Sequence, residues 1–371
     1  MNEADKPGAK SPLLPRLFLG LCVVGLGVAL VSGLLGRTAP IGLGVNLALV
    51  SLALAAASST RFRGSAFTIW VFAAVALALF YPSLLTSWAG EDPKKIIGPR
   101  VFVPLIQVIM FGMGMTLTLE DFARVFKMPK AVLIGVTLQF TVMPVMGLTF
   151  GKLFGLEPEV AVGLILIGSC PGGVASNVIV YIARANVALS VTMTACSTLL
   201  SPLLTPLAMK LIAGTIVPIA FGPMMVSILK LILVPVIVGL LVNRYVHKFA
   251  RQLLRVLPTI SMLGICIIIA LTIALARDKL LVVGLSLFAA AACHNAAGLV
   301  LGYGTARALG LNKRDSRTVA IEVGIQNGGM ASTLALNTMK SEVIALASAV
   351  FGPWSAVATS ALASYWRRRD G

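Results

Sequence analysis

The chain is 371 residues long, 58% hydrophobic and only 12% charged, with a formal charge of +17. That balance excludes a soluble globular domain, and with it a nucleic-acid-binding reading of the positive charge. The basic residues stand in short segments between long apolar runs, where they set topology, so the fold class is an all-α polytopic membrane protein.

Apolar runs of about 20 residues predict spanning helices. Twelve follow one another, at about 13–36, 40–58, 66–88, 101–118, 131–155, 159–184, 187–213, 218–243, 257–276, 281–307, 317–337 and 342–366. The N-terminus, MNEADKPGAKSPLLPR, lacks a compact signal peptide, so the first run is expected to stay in the protein. Lys6, Lys10, Arg61, Arg63, Arg124, Lys127, Lys130, Arg184, Arg244, Lys248, Arg251 and Arg255 fall on one side of the alternation. So do Arg307, Lys313, Arg314, Arg317 and the Arg367–Arg369 tail, about twice the number opposite. Both termini are therefore expected in the cytoplasm, with the protein in the cell inner membrane. The five cysteines lie in apolar runs without metal-like spacing and read as reduced, buried small residues. Lys230, inside the eighth run, is expected to snorkel along its helix.

Two of the helices are predicted to be discontinuous. The sixth contains GSCPGGVASN, where Pro171 removes a backbone donor and Gly172-Gly173 weaken the next turn. The eleventh contains IEVGIQNGGMAST, with Glu322 at its centre. Gly172-Gly173-Val174-Ala175-Ser176 echoes Gly328-Gly329-Met330-Ala331-Ser332 five spans apart, hence in the opposite orientation. Matched interruptions in oppositely oriented halves point to an inverted-repeat secondary transporter, with repeats of helices 3–7 and 8–12. Residues 1–60 then form an N-terminal segment with two added helices, and residues 61–371 a ten-helix unit.

Glu322 is the one carboxylate expected inside the membrane, where a charge is costly unless it serves a function. Freed carbonyls at the ends of half-helices can coordinate a cation, and half-helix N-termini favour an anion. Candidate oxygens beside Glu322 are Ser176 and Asn177, the hydroxyls of Ser190, Thr194 and Thr198 at four-residue spacing, and Gln139. Such hydroxyls commonly bond back to their own helix, but helix packing does not call for a carboxylate at mid-membrane. His294 and Asn295 read as hydrogen-bonded packing residues. There is no Walker A motif, nucleophile–base pair or acidic metal cluster, so the chain is not read as an enzyme or an ATP-driven pump.

GSCPGGVASNVIVYIARANVALSVTMTACSTLLSPLLTP and IEVGIQNGG resemble the bile acid:sodium symporter family, as do IMFGMGMTL, VLIGVTLQFTVMP and HNAAGLVLGY. The resemblance runs from about residue 66 to 367. It implies inverted five-helix repeats with two broken, crossing helices. A core would be formed by the helices at about 131–213 and 281–366, and a panel by those at about 66–118 and 218–276. It implies two sodium ions: one held by Ser176, Asn177, Ser190, Thr194 and Glu322, the other by Gln139, Glu322, Val323, Ile325 and Gln326. Val323 and Ile325 would act through backbone carbonyls. An organic anion would sit near Val174, Ala175, Asn327 and Gly328. Departures from the family pattern lie on this substrate side: Val174 and Gly328 where relatives carry hydroxyl residues, and Ser355-Ala356 where some carry His-Asn.

The expected function is sodium-coupled symport of a small carboxylate of the pantoate or keto-acid type, or of a bile-acid-like molecule. The expected partners are sodium, the organic anion and membrane lipid, with no nucleic acid. The alternatives are a proton-coupled transporter using Glu322, and an anion sensor that binds without transport.

Overall fold

A computed structural model describes residues 13–35, 38–59, 63–90, 92–173 and 175–369. Lys6, Lys10, Arg37, Arg61 and Val174 lie outside the described residues.

The chain opens with α1 (Leu13–Leu34), α2 (Thr38–Ser58) and α3 (Arg63–Phe80), followed by the short α4 (Pro82–Thr86) and α5 (Pro93–Ile97). Next come α6 (Val103–Thr116), α7 (Leu119–Ala123), α8 (Pro129–Leu153), α9 (Pro158–Gly168), α10 (Ser176–Ile182) and α11 (Val187–Ala208). The second half holds α12 (Phe221–Ile228), α13 (Val234–Tyr245), α14 (His247–Leu275), α15 (Arg277–Ala308), α16 (Lys313–Gly324), α17 (Gly328–Asn337) and α18 (Glu342–Arg369). Among the described residues there is no strand, and nine helices are long and apolar enough to cross a membrane, or ten if one bent pair counts as a span. The two remaining expected spans are the broken ones: α9 with α10, and α16 with α17. Leucines and valines are exposed nearly all round α1 (Leu17, Val23, Leu26, Leu30 and Leu34). A helix apolar on every face and in contact chiefly with one neighbour is stable only in lipid.

Two boundaries differ from the apolar-run reading. The third expected span, 66–88, is not one helix: the chain turns by 100° between Phe80 and Pro82. Pro82 opens α4, and the clash of its ring with the preceding residue keeps Tyr81 out of the helical region, at φ −131°, ψ 55°. The 18 residues of α3 still rise about 27 Å, enough to span. The ninth helix begins at His247 rather than near 257, because its first turns alternate basic and apolar residues (HKFARQLLRV) and form no apolar run.

Packing sorts the helices. α3, α6, α13 and α14 lie against one another, and α1 and α2 join this group through α3. α8, α9, α11, α15, α16, α17 and α18 pack together around the two breaks. Where α9 ends, Pro171 has no N–H to give and Cys170 precedes a proline, so the helix stops at Gly168. Where α16 ends at Gly324, Asn327 caps the next helix by accepting from Met330 N at 3.0 Å. The two interruptions meet as an antiparallel bridge, Gly172 to Gln326. Gly173 N donates to Ile325 O at 3.1 Å, and Asn327 N to Pro171 O at 3.0 Å. Backbone groups left over by two broken helices thus satisfy each other in the interior.

Candidate functional site

The crossing gathers oxygen atoms around Glu322, which is 1% exposed. Its Oε2 accepts from Thr194 Oγ1 at 2.8 Å, and its Oε1 accepts from Ser190 Oγ. α11 supplies both hydroxyls one turn apart, on the face turned toward α16. Ser190 Oγ also lies 2.7 Å from Asn177 Oδ1 on α10. A single hydroxyl proton cannot serve both acceptors, so once it is given to the carboxylate two oxygen acceptors face each other. The Ser176 hydroxyl, fully buried at the start of α10, borders the same carboxylate yet completes no hydrogen bond. Hydroxyls alone hold Glu322; among the described residues no Lys or Arg pairs with it. Ser176, Asn177, Ser190, Thr194 and Glu322 therefore form one cluster. Thr198, one turn further along α11, is buried with its Oγ1 unpartnered and does not reach the carboxylate.

Gln139, Val323, Ile325 and Gln326 make a second group on the other side of the α16 end. The Gln139 amide donates to Cys170 O at 3.0 Å and to Gln326 Oε1 at 2.5 Å, joining the two interruptions from α8. Gln326 Nε2 in turn donates to Val323 O at 2.8 Å. Ile325 O already accepts from Gly173 N, which leaves it one lone pair. The donor set of both groups is hydroxyl, amide, carboxylate and carbonyl oxygen. Such hard ligands suit a hard monovalent or divalent cation and not a soft metal. Among the described residues, no group of three His, Cys, Asp or Glu could hold a metal ion.

On the face of the crossing turned toward α3, α6 and α14, Ala175, Asn327 and Gly328 border a cavity of about 90 Å³, partly open to the surroundings, that Gly173, Ile325 and Gln326 also line. Ser332, Ser348 and Ser355 add hydroxyls on that side. Ser332 and Ser348 are bonded to each other at 2.7 Å. The facing wall is Val71, Ile106, Ile109, Ile265, Ile268 and Ile269 from α3, α6 and α14. Sequence reasoning missed this wall, since isoleucines that line a cavity read like isoleucines that face lipid. Lys230 is exposed.

A sequence model for the family described as the Sodium Bile acid symporter family matches residues 103–282. Over 312 residues the chain is 39% identical to the uncharacterized sodium-dependent transporter YocS of Bacillus subtilis (strain 168), covering 84% of this chain and 93% of that one. It is 36% identical over 304 residues to the probable sodium/metabolite cotransporter BASS1, chloroplastic, of Arabidopsis thaliana, covering 82% and 74%. It is 32% identical over 248 residues to the ileal sodium/bile acid cotransporter of Homo sapiens, covering 65% and 70%.

Proposed function

The chain belongs to the sodium bile acid symporter family, and from that premise we propose that it couples inward sodium movement to the uptake of a small organic anion. It is a multi-pass sodium-dependent transporter and not an enzyme. The observation that carries the finer reading is the Glu322 carboxylate: buried, held only by hydroxyls, and bordered by the orphaned Ser176 Oγ. Burial of an unpaired charge costs several kcal/mol, on the order that a bound cation offsets.

Two sodium ions are proposed. Glu322, Ser176, Asn177, Ser190 and Thr194 hold the first. Glu322, Gln139, Gln326 and the carbonyls of Val323 and Ile325 hold the second. The anion lies in the cavity on the other face, its carboxylate toward Asn327 and the N-terminal turn of α17, where the helix dipole favours negative charge. Ala175 and Gly328 border it. The cavity lining includes no Lys or Arg among the described residues, which favours a monoanion with an apolar body. A small carboxylate of the pantoate or keto-acid type fits that description; the names of relatives add metabolites and bile acids as broader classes.

Sodium, by bridging α10, α11 and α16, orders the crossing and so favours anion binding, and the anion must strengthen sodium binding by the same factor. The helices around the crossing rock as a core against the α3–α6–α13–α14 panel, with both termini in the cytoplasm of the cell that bears this inner membrane protein. The test is thermal melting of the purified protein in sodium and in potassium, against a panel of organic anions. Stabilisation by an anion in sodium alone is the expected result. Melting that follows pH and ignores sodium would select proton coupling instead.

A further inference from the structure

Asn295 on α15 is 1% exposed and has no role in the ligand sets above. Its Nδ2 donates to Gly324 O at 2.8 Å, with a second, longer contact of 3.5 Å to Thr359 Oγ1 on α18. Gly324 is the last residue of α16. Its carbonyl would ordinarily accept from the N–H of residue 328, but Gly328 N donates to Gln326 O instead, at 3.0 Å. Asn295 thus caps the carbonyl that the break orphans, between the two residues whose carbonyls are proposed to meet sodium.

α15 also lies directly on the α16 backbone. A Cβ at Gly298 would sit 3.0 Å from Gly324 Cα and 3.1 Å from Val323 O, so no side chain separates the two helices there. His294, the neighbour of Asn295, fastens the other flank of α15: its Nε2 stands 2.8 Å from Met143 O on α8. The first half of the chain repeats the device. Gln139 on α8, the helix preceding the first broken one, donates to Cys170 O just past the end of α9. Each broken helix is held at its break by a buried amide from the helix before it. Gln139 is long enough to reach the crossing as well; Asn295, one methylene shorter, holds only the carbonyl end.

We propose that Asn295 is a positioning residue for sodium binding, the counterpart of Gln139 in the second repeat. It fixes the Val323–Gln326 backbone through Gly324 O without touching the ion. This inference rests on the sodium reading of the crossing given above. The test is the sodium dependence of thermal melting of the full-length protein in detergent, titrated with sodium chloride at constant ionic strength with potassium. Asn295→Leu keeps the branched shape and removes the donor, and the sodium half-saturation should rise about tenfold, as loss of one buried hydrogen bond implies. Asn295→Gln, which keeps the amide, should fall between Leu and the parent. A merely structural role would lower melting equally in sodium and potassium and leave the half-saturation unchanged, and that result overturns the proposal. If Asn295→Leu does not fold, Asn295→Ser, whose hydroxyl is too short to reach Gly324, carries the same expectation and the same refutation. A parent protein indifferent to sodium sinks the sodium reading and this inference together. A sodium response lost in Glu322→Gln but untouched in every Asn295 variant sinks this inference alone.

Discussion

Gly173→Ala is the perturbation that most sharply probes the crossing. A Cβ there would lie 2.8 Å from Gln326 O, 3.0 Å from Ile325 Cγ2 and 3.2 Å from Gln326 C. Two of those atoms are backbone and cannot rotate away. The same backbone is tied to residue 173 by the 3.1 Å bond from Gly173 N to Ile325 O, so relief requires the two interruptions to separate. Overpacking of this kind costs about 1–3 kcal/mol. In the ion-free protein the interruptions can part to relieve it, and sodium must then pull them back against it. The cost therefore shows as about 5- to 150-fold weaker sodium binding. Gly329→Ala is the matched control. Its new Cβ would meet Ile106 Cδ1 at 3.2 Å, a rotatable methyl, and Asn327 Oδ1 at 3.7 Å. The assay is sodium titration of melting temperature in both variants, without anion. A Gly173→Ala protein with parental sodium half-saturation, or a Gly329→Ala protein equally impaired, would refute the reasoning.

Glu322→Gln should abolish sodium dependence: a unit charge about 4 Å from a cation is worth about 4 kcal/mol at an effective dielectric of about 20, or about a thousandfold. Its melting in potassium should hold steady or rise, because an unpaired buried charge has been removed. Ser176→Ala removes an oxygen that has no hydrogen-bond partner. Melting in potassium should thus stay within about 0.5 kcal/mol of the parent, while sodium half-saturation rises about tenfold. Ala356→Phe places a ring in the cavity opposite the isoleucine wall. Anion-dependent stabilisation should disappear while the response to sodium alone persists; loss of both would show that the two sites are not separate.

Much of this was legible in the residues, because the membrane makes the rules strict. Apolar runs gave the spans, and a lone carboxylate in such a run had to have partners. Gly-Gly beside Pro171 and beside Gln326-Asn327 marked the interruptions, which the backbone then joins as one bridge. The bend at Tyr81 was missed because Leu84 and Leu85 of α4 extend the apolar run of α3, and hydropathy is blind to direction. Pro82 was the available signal. The start of α14 was missed for the opposite reason: amphipathic turns at the membrane edge form no run. Asn295 read as a packing residue, and nothing in a chain of letters says that its amide meets a carbonyl 29 positions away. The cavity wall left no trace, since Ile106, Ile265 and Ile268 look the same to lipid and to substrate.

The central claim is coupling, and flux tests it most directly. The protein in proteoliposomes should take up radiolabelled sodium faster in the presence of one organic monoanion, and take up that anion only when sodium replaces potassium outside. Sodium flux indifferent to every anion offered, or anion uptake equal in sodium and potassium, would contradict the account.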